Sequence, residues 1–270
     1  MGSSVAASVA AGGHSVTWAS ERRSEATRER AEKADIEDVG TLRALCERCE
    51  ILLSVCPPHA AEDVADSMLE LGFRGLYVDA NAISPEKTRR IGMRVAAAGA
   101  TFIDGGIVGG PAWEPGTWLY LSGPKTSAER VAALFEDGPL DAALIDEEIG
   151  TASALKMCYA AYTKGTTALL SNILAAAEAF GVREALEDQW SRDWPDFADR
   201  TQSRVRRVTR KAWRFRGEMD EIAETFRAVG LPGEFHEGAG EVYRRLDGLE
   251  ACEELPPLDT VLRRLVEPGE

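Results

Sequence analysis

The segment from Gly150 to Gly181 constrains the fold of this chain more than any other stretch. It is rich in Ala, Leu and Met, contains no Pro, and has Gly165 as its one internal Gly. Residues of this kind favour a helix, and at ~1.5 Å per residue the segment would span ~45 Å. Because almost every face of this helix is apolar, we expect it to be buried.

Lys156 lies within the first two turns of this predicted helix, between Leu155 and Met157. A buried ammonium group is costly without a partner, so a cation at this position requires an explanation. A lysine whose pKa is lowered by burial is suited to accept a proton in catalysis. The alternative is a lysine whose charged end extends to solvent at a domain interface.

The first 149 residues alternate between strand patterns and helix patterns. The predicted strands are 15–20, 50–55, 75–80, 101–104, 117–122 and 142–145, with helical segments between most of them. This alternation predicts a doubly wound parallel sheet of Rossmann type. The strands at 101–104 and 117–122 are too close for an intervening helix, so we expect part of the sheet to be antiparallel.

After Gly181 the sequence has no further strand pattern, and its amphipathic segments predict helices up to residue 266. We therefore predict a dinucleotide-binding domain over residues 1–149 and an all-α domain for substrate binding and dimerisation over residues 150–270. Apolar helices at 151–180 and 218–246 favour a homodimer.

The chain begins with a helix pattern of small residues that ends at Gly12 and Gly13. In a dinucleotide-binding fold, such a helix follows a first strand and a G-x-G-x-x-G turn. Gly2 stands where the last glycine of that turn belongs, so we interpret the domain as truncated at its N-terminus and lacking this strand. Either translation starts upstream or the chain is a remnant. The alternative is a helix that packs on an unrelated sheet.

Composition narrows the class of partner. The net charge of −14 argues against a nucleic-acid backbone or an anionic membrane. No apolar run is convincing as a membrane span.

The five cysteines are irregularly spaced, which indicates a reducing compartment such as the cytoplasm. Cys46 and Cys49 form a CxxC without a second pair or a His cluster, so we predict no metal site.

Several motifs along the chain occur together in one known family. They are the small-residue helix after Met1-Gly2, Ser54-Val55-Cys56-Pro57-Pro58, Asp79-Ala80-Asn81 before Ile83-Ser84-Pro85, DGGIVGG at 104–110, and Gly150 with Lys156. In this order they resemble the β-hydroxyacid dehydrogenase family, which includes 3-hydroxyisobutyrate and 6-phosphogluconate dehydrogenases. The C-terminal part resembles a phosphogluconate-dehydrogenase-like subgroup of unassigned substrate.

The resemblance implies an NAD(P)-dependent dehydrogenase or reductase that acts on a CH–OH group, with a small hydroxy acid or related carbonyl compound as substrate. Lys156 would be its general acid/base. The resemblance places cofactor contacts at Gly2, Val55, Cys56, Pro57 and Asn81. It places substrate contacts at Gly105, Gly106, Val108, Gly109, Gly110, Tyr159, Ala160 and Thr163.

The end of the first predicted strand bears on the choice of cofactor. In dinucleotide-binding folds an acidic residue at the corresponding strand end accepts a hydrogen bond from the ribose 2′-OH and favours NAD. Here Ser20 is followed by Glu21, Arg22, Arg23 and Ser24. Two guanidinium groups and two hydroxyl groups suit a 2′-phosphate, so we predict NADP, while Glu21 leaves NAD possible. The alternative is a solvated, charged helix start.

Three departures from the family leave the substrate open. Val108 replaces the serine of the substrate loop, and Tyr159 and Ala160 replace two asparagines that follow the catalytic lysine. Tyr159, Ala160 and Thr163 share a helix face with Lys156, so a phenol and a hydroxyl take over positioning. The alternatives are a non-catalytic relic or regulatory module that binds nucleotide weakly, and an imine-reductase-like enzyme.

The run from Arg204 to Arg216 is the densest positive charge in an acidic protein. Three interpretations stay open: a site for an anionic substrate, a surface that pairs with acidic residues of a partner subunit, and a solvated helix face.

Overall fold

The computed structural model describes residues 1–252 and 254–267. The chain divides into two compact units, of which the first is Met1–Met157 and the second begins at Cys158. Within the described residues, every strand lies in the first unit and the second unit is helical.

The strands of the first unit form two sheets. Strands β1 (Thr17–Trp18) and β2 (Glu37–Asp38) make a short parallel pair. The larger sheet has the order β3-β4-β5-β6-β7. Its strands are β3 (Ile51–Ser54), β4 (Leu76–Asp79), β5 (Thr101–Val108), β6 (Thr117–Ser122) and β7 (Leu140–Asp146). Strands β5 and β6 are antiparallel and the other neighbours are parallel, which confirms the mixed sheet that the sequence predicts.

Helices cover both faces of the larger sheet. They are α1 (Gly2–Ala11), α3 (Leu42–Arg48), α4 (Ala61–Glu70), α5 (Pro85–Ala97) and α6 (Lys125–Ala132). Helix α2 (Glu25–Lys33) connects β1 to β2. One core contains Val5 of α1 and Val131 of α6. The other contains Met68 of α4 and Ile91 of α5. Burial of each such side chain stabilises the fold by about 1.5–3 kcal/mol. Because the two cores lie on opposite faces of the sheet, the arrangement is doubly wound.

The start of α5 follows the capping pattern of its sequence. The Ser84 hydroxyl accepts a hydrogen bond from the Lys87 amide at 3.4 Å, and Pro85 occupies the first helical position. Both features satisfy or remove amide donors that a helix start leaves open.

Two parts of the sheet differ from the prediction. Strand β5 extends to Val108 instead of ending at Asp104, because Gly105 and Gly106 pair with Leu121 and Tyr120 of β6 despite the low strand propensity of glycine. The sequence pattern does not predict strand β2 or helix α3, since the two-residue strand Glu37–Asp38 is charged and exposed.

The second unit is built on the long helical segment. Helix α7 (Thr151–Ala160) begins in the first unit and continues through a π-helical turn, Ala161–Gly165, into α8 (Thr166–Ala179). The remaining helices are α9 (Arg183–Asp193), α10 (Phe197–Val208), α11 (Ala212–Ala228), α12 (Glu234–Arg245) and α13 (Leu258–Val266). The expectation of burial on nearly every face is wrong, since Tyr162 is 68% and Phe180 82% exposed. No described helix combines the length and the apolar character that a membrane crossing requires.

Candidate functional site

Strand β5 and the first turns of α7 approach each other closely at Gly106. A Cβ atom at this position would lie 2.5 Å from the Ala152 carbonyl oxygen and 3.1 Å from the Lys156 Cβ. A larger residue would collide with the backbone of α7, so glycine is required for this approach. The contact places Lys156, which is partly buried, directly beside the DGGIVGG segment.

Asp104 anchors the start of α7 to β5. Its Oδ2 accepts hydrogen bonds from the Gly150 amide, the Ser153 amide and the Ser122 hydroxyl at 2.9–3.0 Å, and its Oδ1 accepts one from the Ser153 hydroxyl at 2.6 Å. Burial raises the pKa of Asp104, and the hydrogen bonds from Ser153, Ser122 and Gly150 oppose that rise. The carboxyl group therefore sets the direction in which α7 leaves the sheet.

The predicted substrate loop is partly strand. Gly105 and Gly106 lie within β5 and are buried, and Val108 is partly buried at its end. Only Gly109 and Gly110 follow the strand, and both are exposed. The Thr117 hydroxyl donates to the Gly110 carbonyl at 2.9 Å, so these two glycines form a turn held against β6.

Asn81 joins the loop after β3 to the end of β4. Its Oδ1 accepts a hydrogen bond from the Cys56 amide at 2.5 Å, and its Nδ2 donates to the Ser54 hydroxyl at 3.0 Å. Three residues of the predicted cofactor loop, Val55, Cys56 and Pro57, are thereby fixed at the carboxyl edge of the parallel strands. Ligands of doubly wound sheets bind outside this edge.

Asp79 ends β4 in the same region and is 2% exposed. Its Oδ1 accepts a hydrogen bond from the Asn81 amide at 3.0 Å, while its Oδ2 is buried with no hydrogen-bond partner among the described residues. Burial raises the pKa of Asp79 to about 7; the hydrogen bond from Asn81 lowers it and the charge of Asp104 adds to the rise. A buried carboxylate oxygen without a partner carries a desolvation cost that the described residues leave uncompensated.

The start of α1 lies against the cofactor loop. A Cβ atom at Gly2 would be 3.7 Å from the Val55 Cβ. The Ser4 and Ser8 hydroxyls accept hydrogen bonds from the Ala112 and Leu140 amides at 2.9 and 3.0 Å, which anchor α1 to the domain. A helix N-terminus beside such a loop fits the pyrophosphate of a dinucleotide.

The segment after β1 carries the predicted recognition of the adenosine ribose. Arg22, Arg23 and Ser24 are exposed, and Arg22 adopts a left-handed backbone with φ 58°. Burial raises the pKa of the Cys56 thiol to about 11, and the charge of Arg23 is among the influences that oppose this rise.

Sequence reasoning missed the acid beside this segment. Asp38 of β2 accepts a hydrogen bond from the Ser20 amide at 3.2 Å, and Arg28 donates to the Ser20 carbonyl at 3.0 Å. Hydrogen bonds from Ser20 and Gly40 hold the pKa of Asp38 below its ordinary value. The carboxylate was missed because β2 itself has no strand pattern.

The remaining predicted substrate residues belong to the second unit. Tyr159 is 45% exposed and Ala160 is buried. The Thr163 hydroxyl donates to the Tyr159 carbonyl at 3.0 Å, so its hydrogen is used within its own helix. Lys164, the other cation of the long helical segment, pairs with Glu218 at 2.6 Å, and both side chains are largely buried.

A metal-based site has no support in the described part of the chain. No group of three His, Cys, Asp or Glu side chains in residues 1–252 and 254–267 could hold a metal ion. The five cysteines are free, including both members of the CxxC.

Family comparisons identify both parts of the chain. Residues 1–138 match the NAD binding domain of 6-phosphogluconate dehydrogenase. Residues 177–246 match a domain of unknown function, DUF1932. An uncharacterized 28.5 kDa protein from Methanothermus fervidus is 28% identical over 184 residues, which are 68% of this chain and 70% of that protein.

Solved structures share the fold over nearly the whole chain. A conserved protein of unknown function, noted for its similarity with 3-hydroxyacid dehydrogenases, is 27% identical with a TM-score of 0.66, covering 93% of this chain and 95% of its own. The structure of 3-hydroxyisobutyrate dehydrogenase of Mycobacterium tuberculosis with L-serine is 14% identical with a TM-score of 0.73, and the match covers 98% of this chain and 95% of that chain. The structure of an imine reductase variant of Myxococcus stipitatus with NAD+ is 18% identical with a TM-score of 0.57, and the match covers 99% of this chain and 96% of that chain. The last two likenesses concern the fold alone.

Proposed function

The chain belongs to the family of the NAD binding domain of 6-phosphogluconate dehydrogenase, and from this membership we propose that it transfers a hydride between a nicotinamide dinucleotide and a small hydroxy acid or related carbonyl compound. The observation that carries the proposal is the approach of Lys156 to β5 at Gly106. A general acid/base must be held on a rigid support beside the reacting group. The Asp104 hydrogen bonds and the glycine contact provide that support.

Lys156 is the general acid/base of this reaction. Oxidation of an alcohol removes a hydride from carbon and a proton from oxygen, and the bound nicotinamide supplies the hydride acceptor. The Lys156 Nζ in its neutral form accepts the hydroxyl proton, and in the reverse direction the ammonium form returns it to the carbonyl oxygen.

The cofactor is NADP in preference to NAD. The α1 N-terminus at Gly2, with the loop Val55–Pro57 and Asn81, would hold the pyrophosphate and the nicotinamide half. Arg22, Arg23 and the hydroxyl groups of Ser20 and Ser24 would hold the 2′-phosphate. The carboxylate of Asp38 opposes a phosphate at this end, but its hydrogen bonds with Ser20 and Gly40 and its proximity to Arg28, at 4.0 Å, reduce that repulsion.

The predicted substrate loop supports a second candidate as well. Val108 offers no hydroxyl group to a substrate carboxylate. An imine substrate needs no such group, and its reduction would use the same proton from Lys156. Gly109 and Gly110 would contact the substrate in either case.

The test begins with the nucleotide. Calorimetric titration of the 270-residue chain with NADPH and NADH measures binding and preference. We expect NADPH to bind more tightly than NADH. The preference for NADPH should fall in an Arg22→Gln/Arg23→Gln variant. It should not fall in the control Arg43→Gln, which removes an exposed arginine of α3. A folded chain that binds neither nucleotide would instead favour the non-catalytic relic.

Turnover then tests Lys156. A panel of small 3-hydroxy acids and cyclic imines is assayed by the absorbance of reduced nicotinamide. For whichever substrate reacts, Lys156→Ala should lower kcat by about 10²–10⁴-fold, the range of general acid–base catalysis, without weakening nucleotide binding. Lys125→Ala, which removes an exposed lysine of α6, is the control. Unchanged kcat in the Lys156 variant would refute the assignment.

We also propose that the chain forms a homodimer through the second unit. Tyr162, Leu169 and Phe180 recur along the π-helical turn, α8 and its C-terminal end, and are 68%, 45% and 82% exposed. Exposed apolar side chains of this kind favour an interface between copies. Light scattering after size exclusion should give twice the mass of 29.2 kDa, and a mass of one chain would exclude the dimer.

A further inference from the structure

The second unit contains a basic groove that the proposed reaction does not use. Its cavity measures about 780 Å³. Its cationic lining consists of Arg200, Arg204, Arg207, Arg210 and Lys211. The first three recur at intervals of four and three residues on α10, so they share one face of that helix. The other two follow in the turn before α11.

Arg204 is held in place at the floor of this groove. Its Nε donates to the Thr167 hydroxyl and its Nη2 to the Thr163 carbonyl, both on the long helical segment. A guanidinium group has five N–H donors, so Arg204 retains donors for a further acceptor. A fixed guanidinium loses less side-chain entropy when a ligand binds.

Four of the five groove cations have no ion pair among the described residues of the second unit. They are Arg200, Arg204, Arg207 and Lys211. Like charges three or four residues apart on a helix destabilise it by about 0.2–0.5 kcal/mol per pair. The chain has 45 acidic residues that could have been placed nearby, so these uncompensated charges indicate a negatively charged ligand.

A neighbouring arginine shows the structural alternative. Arg206 lies on the same helix and donates to the backbone carbonyls of Pro256 and Leu255 at 2.9 and 3.3 Å. Its charge is used to hold the segment before α13. The groove cations Arg200, Arg207 and Lys211 have no comparable bond among the described residues, and all three are exposed.

We propose that the groove binds a small organic molecule that carries two phosphate groups. Arg200 and Arg207 lie two helical turns apart, ~10 Å along the helix axis, so a ligand that pairs a separate phosphate with each guanidinium group suits this spacing. Guanidinium groups pair with phosphate in a bidentate manner. Val208 and Leu255, also in the lining, provide apolar contact for the organic part. The volume is in the usual range for small-molecule sites.

Calorimetry with fructose 1,6-bisphosphate tests the proposal, with fructose 6-phosphate as the single-phosphate comparison. We expect the bisphosphate to bind at least about 10-fold more tightly, because it can engage both ends of the groove. Arg207→Gln/Lys211→Gln should weaken this binding about 10-fold or more. Arg214→Gln is the matched control: it removes an exposed arginine of the same basic run that does not line the groove.

Three outcomes would overturn the proposal: no binding of the bisphosphate, equal affinity for the two sugars, or equal weakening in Arg214→Gln, which would indicate attraction to general positive charge. Circular dichroism confirms that each variant is folded. Lys156→Ala should leave bisphosphate affinity unchanged, so this result is independent of the proposed oxidoreductase activity.

Discussion

Two buried aspartates lie in register on neighbouring strands, Asp79 at the end of β4 and Asp104 within β5, and they have opposite hydrogen-bonding environments. Asp104 of β5 accepts hydrogen bonds at both of its oxygens. Asp79 of β4, its register partner, keeps one oxygen buried without a partner in the described residues. A satisfied carboxylate stabilises a fold, whereas an orphaned one carries a desolvation cost that a ligand can relieve. The carboxyl group on β5 therefore contributes to rigidity, and the carboxyl group at the end of β4 costs stability in the free chain.

The largest expected effect is the loss of Asp104. Asp104→Ala leaves the amides of Gly150 and Ser153 and the hydroxyl of Ser122 buried without their acceptor. We expect the free energy of unfolding to fall by about 3–5 kcal/mol, as for other broken buried networks. Urea denaturation measures this change. Asp141→Ala, at an exposed position of β7, should change it by less than about 0.5 kcal/mol, and a similar small effect at Asp104 would contradict its role as an anchor.

The next effect is the pH dependence that Asp79 contributes. Its pKa of about 7 in the folded state lies above its ordinary value of 3.8, so between these values the folded chain binds more protons than the unfolded chain. Its contribution to stability therefore falls as pH rises through this window and is constant above it. At 1.36 kcal/mol per pKa unit, Asp79 should lower the free energy of unfolding by up to about 4 kcal/mol across this pH window.

Asp79→Asn should remove this contribution, because the amide cannot ionise. As pH rises from 4 to 7.5, the wild type should therefore lose stability relative to the variant. Urea denaturation across that range measures the free energy of unfolding of both proteins. Parallel curves for the two proteins would show that Asp79 is not the titrating group. NADPH binding should reduce the wild-type pH dependence if a ligand group contacts the orphaned oxygen.

The smallest of the three effects concerns the glycines of β5. Gly106→Ala forces a Cβ against the Ala152 carbonyl oxygen, and we expect a loss of about 1–3 kcal/mol, as for other overpacked sites. It should also lower kcat by displacing Lys156. Gly110→Ala is the matched control, since a Cβ atom there would meet no residue beyond its chain neighbours within 4 Å. Equal stability of the two variants would show that α7 can move away from β5 at no cost.

The elements of the fold follow largely from local sequence. Pro85 after Ser84 specifies the start of α5, and short apolar runs specify β3, β4 and β6. The length of β5 does not follow, because Gly105 and Gly106 weaken a local strand signal and their pairing with β6 is a tertiary effect. The π-helical turn Ala161–Gly165 does not follow either, because no local pattern distinguishes it from an α-helical turn.

The candidate site is only partly readable from the sequence. Lys156 and the glycines of DGGIVGG stand out through their motifs, and Asp104 begins one of them. Its role depends on donors that lie 18 to 49 residues away, and no local pattern records such partners. Asp79 presents the same difficulty, since an orphaned oxygen is a property of the packed fold.

The π-helical turn Ala161–Gly165 shifts the angular phase of the long helix. A π turn holds about one residue more than an α turn, and each residue advances an α-helix by about 100°. The Lys164 carbonyl in this turn accepts a hydrogen bond from the Tyr243 Oη at 2.7 Å, so α12 holds the altered winding. Deletion of one residue here should therefore convert the π turn into an α turn with little rotation of α8 about its own axis, whereas the same deletion in an uninterrupted α-helix rotates everything after it by about 100°.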